Sequence, residues 1–577
     1  MKIITGAKYL WKMPQVIEQH IINIAATYNL SIPIAHTLLS RGFTDHDAIN
    51  SFLFSSFEKD VAHPSHLKDA NKAVDRLLYA IMSKEPILIF GDYDVDGITS
   101  SALMMICLLP LHANVNFYLP HRVKDGYGIS TSIVERAARN GYKLIITVDN
   151  GITAFEPAAR AKELGIDMII TDHHRPHHEL PDAFAIINPN QKDCTYPFKK
   201  LAGVGVAFKF LSLVYERKGL PLPAKAYELL LLGTIADVVS LYGENRYWVR
   251  HGLQYVNNVE SLSFKALKQN GKLVKPIINS LDIGFSITPQ INALGRLEDP
   301  RQGVKFLIGA DNVQVQEVGR VLFELNEARK EIERSIVAQV QQMIELGVVD
   351  ISQNIIVASS HQWPPGVIGL VASRLVSAYG KPTILLHETK NGILKGSCRS
   401  IAEFNMFDAL DQCKDLLMQF GGHSQAAGLS LKKDQLPQLK ERLAQLIKEQ
   451  LTPEDLQQKI VVDAQASLRD FNQKFMDDLR HLEPFGCDNA QPVFSIHDVV
   501  VVQKPKLLKD VHVKCSVFAD GVIKPVIFFN RPDIYELLMK LEHESFSLAA
   551  QAQENQWNGR TNIELTGIDI AVRKEPT

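Results

Sequence analysis

Residues 87–97 read Ile87-Leu88-Ile89-Phe90-Gly91-Asp92-Tyr93-Asp94-Val95-Asp96-Gly97: four apolar residues, a glycine, then an acid at every second position. A short apolar run closed by glycine is the pattern of a buried strand, and here three carboxylates follow the strand's end. Working outward, apolar runs recur at 115–119, 144–148, 168–170 and 184–187, with helical periodicity at 99–109, 130–140 and 154–164 between them. Gly141 and Gly165 close two of these helices, where a left-handed residue is favoured. Strands alternating with helices predict a doubly wound α/β domain around a parallel sheet.

Two further strand ends carry the same kind of side chain. Asp149-Asn150-Gly151 follows the run at 144–148, and Asp172-His173-His174 follows the run at 168–170. In an open parallel sheet the binding crevice lies beyond the carboxyl ends of the strands, so these segments converge on one edge. Asp237, in the apolar stretch 233–239, is a fourth candidate, because a buried carboxylate needs a partner or a metal ion. Each part has a plainer reading on its own. An Asp-x-Asp-x-Asp can be an exposed turn, Asp149 can cap a helix, and paired histidines such as His177 and His178 usually face solvent. An EF-hand is excluded because the twelfth position from Asp92 is Leu103 instead of a bidentate Glu. Together, oxygen and imidazole donors at successive strand ends point to a metal centre.

With 577 residues, 46% apolar and 22% charged, the chain is expected to be a soluble protein of several domains. Nothing resembles a signal peptide or membrane span, so no membrane association and a cytoplasmic location are expected. The six cysteines are scattered, which argues against disulfides and structural zinc. A net charge of -2 means that any nucleic-acid surface must be local. The stretch 313–346 reads as one long, solvated helix bridging two domains, its flanks dense in charge that includes Glu324, Glu327, Lys330 and Glu333. A second α/β segment runs from 354 to about 450, and the short strands expected at 493–502, 511–518 and 522–529 suggest a small β-barrel. Lys504, Lys506, Lys509, Lys514 and Lys524 lie in that last region with Phe494, Phe518, Phe528 and Phe529, which suit either a core or a stacking surface.

Asp94-Val95-Asp96-Gly97 with Ser100, Asp149-Asn150-Gly151, Asp172-His173-His174 and Asp237 resemble, in order, the four motifs of the DHH phosphoesterase superfamily. The stretch 289–296, ending in Gly295-Arg296, and Leu325-Asn326-Glu327-x-Arg329 are similar to patterns of its single-strand exonuclease branch. Gly366-Val367-Ile368-Gly369, Gly396-Ser397-Cys398-Arg399-Ser400 and Phe420-Gly421-Gly422-His423 resemble the associated DHHA1 domain.

The resemblance implies a DHH catalytic domain with an N-terminal extension (1–312), a linking helix (313–347), a smaller α/β DHHA1 substrate-binding domain (348–450) and an OB-fold (451–577). It implies two divalent cations, Mn2+ or Mg2+, on Asp92, Asp94, Asp96, Asp149, His173 and Asp237, with Asp149 bridging. Asp94, Asp149 and His174 would be catalytic, with His174 beside the scissile phosphate. Arg296, Asn326, Arg329, Arg399, Ser400, Gly421, Gly422 and His423 would contact substrate. Two such cations, roughly 3.5–4 Å apart, would clamp an in-line displacement. The implied activity is 5′-to-3′ removal of mononucleotides from single-stranded DNA in recombination and repair. Single-strand-binding protein and a helicase are implied partners, and a monomer is the default. Other readings are a small-nucleotide phosphoesterase or pyrophosphatase, which the extra segment after 454 disfavours, and a non-catalytic single-strand-binding replication factor, which the filled motif positions disfavour. One departure stands out: Trp363-Pro364-Pro365 occupies the place where relatives commonly have Trp-His.

Overall fold

The computed structural model describes residues 2–121, 125–126, 128–309, 311–541, 544–557 and 560–572. They fall into two compact units: Phe54–Glu331 with Glu483–Ala490, and Met1–Leu53 with Ile332–Leu482 and Gln491–Thr577.

In the first unit, β1 (Ile87–Phe90), α1 (Val95–Leu108), β2 (Val115–Tyr118), α2 (Thr131–Arg139), β3 (Leu144–Val148), α3 (Phe155–Glu163), β4 (Asp167–Thr171) and β5 (Ala185–Ile187) alternate along the chain. They are followed by the helices α4 (Gly203–Lys218) and α5 (Lys225–Ala236). The strands form an all-parallel sheet in the order β2-β1-β3-β4-β5. Ile87 and Ile89 enter a core shared with α1, α4 and α5, while Leu88 and Phe90 enter another shared with α2 and α3. Helices on both faces explain why β1 is apolar at every position.

The chain steps outward from β1 to β2 and returns to β3 on the other side, so a topological switch point lies between β1 and β3. Phe90 pairs with Thr147, and Val148 with Thr171, which brings the three motif segments off the sheet at one level. Helix α1 starts at Val95 rather than near 99, because Asp94 acts as its N-cap and accepts the Gly97 N–H at 3.1 Å.

Farther along lie α6 (Thr288–Leu297) and α7 (Asn312–Glu345), the long helix expected at 313–346. The expectation of a solvated α7 is corrected. Leu322, Ile336 and Val340 are buried, and so are Asn326 and Glu333. Glu333 pairs with Arg374 at 2.9 Å, a partner too distant in sequence to anticipate.

In the second unit, β6 (Ile356–Ser360), α8 (Pro365–Tyr379), β7 (Thr383–Glu388), β8 (Ile393–Arg399), β9 (Gln419–Gly422) and β10 (Ala426–Lys432) build a mixed sheet. Its order is β9-β10-β8-β7-β6, and only β6 and β7 run parallel. The C-terminal strands are β11 (Phe494–Leu508), β12 (His512–Ala519), β13 (Val522–Phe528), β14 (Phe546–Trp557) and β15 (Arg560–Val572). Strand β11 pairs with both β12 and β14, closing a five-stranded barrel in which β13 and β15 are parallel. This is the OB-type barrel of the sequence expectation. Strands β14 and β15 were not foreseen, nor was the hairpin of Ile3–Thr5 and Leu10–Lys12, which Lys459–Val461 extends.

Candidate active site

The switch point gathers the motif residues. Asp149 follows β3 at φ 61°, a left-handed conformation that Asp tolerates better than most side chains. Its neighbour Asn150 donates to the carbonyls of Val148 (2.8 Å) and Phe90 (3.3 Å), tying β3 to β1. His173 Nε2 lies 3.3 Å from Asp149 Oδ1, 3.6 Å from Asp237 Oδ2 and 3.9 Å from Asp96 Oδ2. Three groups of donor atoms, each spanning no more than 4.8 Å, are Asp92, Asp94 and Asp149; Asp96, His173 and Asp237; and Asp149, His173 and His174. Asp149 and His173 each serve two of the groups. All seven residues therefore meet at one place.

The donors suit a cation. Asp149 Oδ1, Asp237 Oδ2 and His173 Nε2 are buried and make no hydrogen bond among the described residues. Buried polar atoms left this way are costly unless something charged satisfies them. Burial, with the charges of Asp96 and Asp94, pushes Asp149 well above the ordinary carboxylate range, and the same causes raise Asp237. Burial and the charge of Asp94 push Asp96 up to about 7. Burial and the neighbouring His174 hold His173 down to about 4, leaving a neutral imidazole able to offer its lone pair.

Asp172 has a different task. Buried, it accepts the backbone N–H groups of His173 (2.7 Å), His174 (3.1 Å) and Ile152 (2.9 Å), and it contacts His174 Nδ1 at 2.7 Å. Burial opposes charge on both members of this pair, but their hydrogen bond and mutual attraction outweigh it. Asp172 stays below its ordinary value and His174 rises to about 8. His174 is exposed, so an oriented imidazole of raised basicity faces solvent beside the donor cluster.

Several residues that matter here escaped the sequence reading. Asp96 accepts the N–H groups of Gly203 (2.6 Å) and Val204 (2.8 Å), so the N-terminus of α4 supports it. A Cβ on Gly203 would lie 2.6 Å from Asp149 Oδ1, and one on Gly233 would lie 2.4 Å from Thr99 Oγ1. A Cβ on Gly295 would lie 2.1 Å from the Tyr93 carbonyl, so this glycine lets α6 touch the acidic loop. Half-buried Arg296 comes next on α6. For Gly203 and Gly233 the only sequence signal was glycine within an otherwise apolar stretch, whereas Gly295 and Arg296 lay in the stretch 289–296 already singled out.

The remaining candidates lie on other elements. On α7, Asn326 Oδ1 accepts from Arg329 at 2.9 and 3.2 Å. In the second unit Arg399 ends β8 and donates to Ser397 Oγ (3.1 Å) and the Cys398 carbonyl (2.7 Å). The Ser400 hydroxyl is buried and donates to the Phe404 carbonyl at 2.7 Å. Gly421 and Gly422, on the edge strand β9, and His423, just past its end, are exposed. Gly422 sits at φ 139°, where a Cβ would meet the Ala426 carbonyl at 2.4 Å. Trp363, before the departing Pro364, is buried and donates to Gln339 at 2.9 Å.

A parallel sheet whose switch point collects Asp and His donors in this order defines the DHH class of phosphoesterase folds. Residues 86–234 match the DHH family, N-terminal domain, residues 352–449 the DHHA1 domain and residues 462–569 the RecJ OB domain. The chain is 35% identical to the single-stranded-DNA-specific exonuclease RecJ of Bacillus subtilis, over 98% of this chain and 71% of that one. To the Escherichia coli protein of the same name it is also 35% identical, over 80% of this chain and 84% of that one. Among solved structures, RecJ in complex with Mn2+ from Thermus thermophilus matches with TM-score 0.82 at 26% identity, covering 98% of this chain and 80% of that one. An exonuclease RecJ bound to manganese matches with TM-score 0.58 at 31% identity, covering 68% of this chain and 96% of that one. The chain belongs to the RecJ family.

Proposed function

We propose that this protein hydrolyses single-stranded DNA from its 5′ end, releasing mononucleotides, with two divalent cations as cofactors. The observation that carries the reading is the convergence of Asp149, His173 and Asp237 donor atoms that are buried without hydrogen bonds. Asp92 and Asp94 would hold one cation, Asp96, His173 and Asp237 the other, with Asp149 common to both. When bound, such cations make water acidic enough to attack a phosphodiester at neutral pH and neutralise charge on the leaving oxygen. Oxygen-rich donors of this kind suit Mn2+ and Mg2+.

The chain's own residues do the rest. Asp172 fixes His174 through Nδ1. His174 would hold a proton against the scissile phosphate, with Asp94 and Asp149 as its catalytic neighbours. Arg296, Asn326, Arg329, Arg399, Ser400, Gly421, Gly422 and His423 form the substrate-binding set. Arg399 is suited to two-point phosphate contact, and the glycines to close backbone approach. In the barrel, Phe494 and Phe528 are core, whereas Phe518 and Phe529 are exposed. The exposed pair, with Lys506, provides stacking and charge for a single strand.

On this reading residues 1–312 form the catalytic domain with its N-terminal extension, 313–347 the link, 348–450 the substrate-binding domain and 451–577 the nucleic-acid-binding domain. Recombination and repair, a cytoplasmic location and cooperation with single-strand-binding protein and a helicase complete it. Among the described residues no helix is long and apolar enough to cross a membrane.

The test is degradation of an internally labelled single-stranded oligonucleotide, blocked at one end or the other, with Mn2+, Mg2+ or EDTA. Cation-dependent mononucleotide release that only the 5′ block stops is expected. If polymers stay intact while dinucleotides or pyrophosphate are hydrolysed, the substrate is a small nucleotide instead.

A further inference from the structure

Asp237 is held by an unusual piece of backbone. It caps the C-terminus of α5, and the next residue, Val238, sits at φ 59°, where a β-branched side chain is a genuine outlier. Such a conformation persists only where the surroundings over-determine it. The surroundings here include Glu483–Ala490, which belongs to the first unit although the chain on both sides of it belongs to the second.

This loop is fastened at several points. The Leu241 N–H donates to the Cys487 carbonyl (3.0 Å), Ser280 Oγ to the Phe485 carbonyl (2.7 Å) and Arg250 Nε to the Glu483 carbonyl (2.9 Å). Gly486 and Asn489 exchange backbone hydrogen bonds of 2.9 and 3.1 Å, and buried Asn489 donates to the Pro484 carbonyl at 2.8 Å, so the loop keeps its own shape. A Cβ on Gly486 would lie 2.6 Å from Leu241 Cδ1, so any larger residue here must displace the buried Leu241 side chain in the segment that follows Asp237.

We infer that Glu483–Ala490 is a positioning element for Asp237: by clamping Leu241 it holds the 237–241 segment in register, and thereby sets how tightly the site binds a divalent cation. The inference depends on Asp237 being a cation ligand. Gly486 is the key positioning residue, acting through Leu241.

The experiment is Mn2+ binding to the full chain, followed by electron paramagnetic resonance and calorimetry, with the unfolding midpoint as a check on folding. The proteins compared are wild type, Gly486→Val, Gly486→Ala, Ser280→Ala and Asp237→Asn. Supporting residues around a metal commonly change affinity by 10–100-fold, so Gly486→Val should weaken Mn2+ binding by about 10-fold or more, and Gly486→Ala by less. Saturating Mn2+ should restore turnover in both. If Gly486→Val does not fold, Gly486→Ala and Ser280→Ala decide, and a loss of Mn2+ affinity in either supports the inference. Unchanged Mn2+ affinity in the folded loop variants, beside a loss in Asp237→Asn, overturns the positioning role and leaves the cation site standing. Unchanged affinity in Asp237→Asn overturns both.

Discussion

The candidate catalytic cluster of the first unit and the candidate substrate contacts of the second solve opposite problems. In the first, carboxylates and an imidazole are buried and crowded at the ends of parallel strands. Backbone amides tie down Asp96 and Asp172, while atoms of Asp149, Asp237 and His173 are left unsatisfied. In the second, Gly421, Gly422 and His423 lie exposed on and just past an edge strand, and half-buried Arg399 stands at a strand end. Charge is concentrated where a small, strongly charged ligand would be held, and spread thinly where a long, flexible one would slide. Changes in the first region should therefore act on turnover and cation binding, and changes in the second on substrate affinity.

The largest effect should come from Asp149→Ala, which removes the residue shared by two donor groups. Its kcat should fall by more than the ~10²–10³-fold that loss of a single transition-state contact costs. Turnover near wild type under saturating Mn2+ would break the comparison at its root. Gly203→Ala should follow, because its Cβ would sit 2.6 Å from Asp149 Oδ1. Mn2+ affinity should drop by about 10–100-fold, with little change in KM for DNA. Arg399→Ala should raise KM roughly 10-fold, the scale of a lost charge-assisted hydrogen bond, and leave Mn2+ binding untouched. A fall in kcat alone would move Arg399 to the catalytic side.

Protonation gives a smaller, more discriminating test. Asp96, raised to about 7, keeps its proton in the folded chain when the unfolded chain has lost it, so stability falls as pH rises through that value. His174, raised to about 8 from 6.5, contributes stability below 6.5 that is lost as pH rises through 8. His173, lowered to about 4, opposes this trend only below its ordinary 6.5. Between pH 6.5 and 8 the cation-free protein should lose about 2–4 °C of melting temperature, and Mn2+ should stabilise it most at the alkaline end. A flat or rising profile would show that the carboxylates are not crowded as described. Least of all, Lys506→Ala on the barrel should lower the salt dependence of single-strand binding by about 0.7 in log-log slope, without altering kcat.

The convergence of the candidate donors was legible because strand periodicity and strand-end chemistry are local: residues 87–97 show both at once. The barrel was half legible. Strands β11 to β13 alternate clearly, but 551–557 is too polar to read as a strand until pairing with β15 explains it. Gly203 and Gly233 were illegible, because what they make room for, Asp149 and Thr99, lies far away in sequence. Glu333 looked like solvated charge for the same reason. Ser400, marked by its motif, donates its hydroxyl inside its own loop, a contact that no spacing reveals.

The strand order has a consequence for how the protein is made. Asp92, Asp149, His173 and Asp237 are delivered in sequence as the ribosome works, but the donor cluster closes only when Asp237 arrives, and Glu483–Ala490 joins the same unit far later still. Domains generally fold as units during synthesis. On the proposed reading, a nascent chain short of residue 237 carries no complete cutting centre, and most of the polypeptide is exported from the ribosome before the centre is fully braced. The order of the chain thus makes Asp237 the last donor to arrive and the loop that packs against its segment later still.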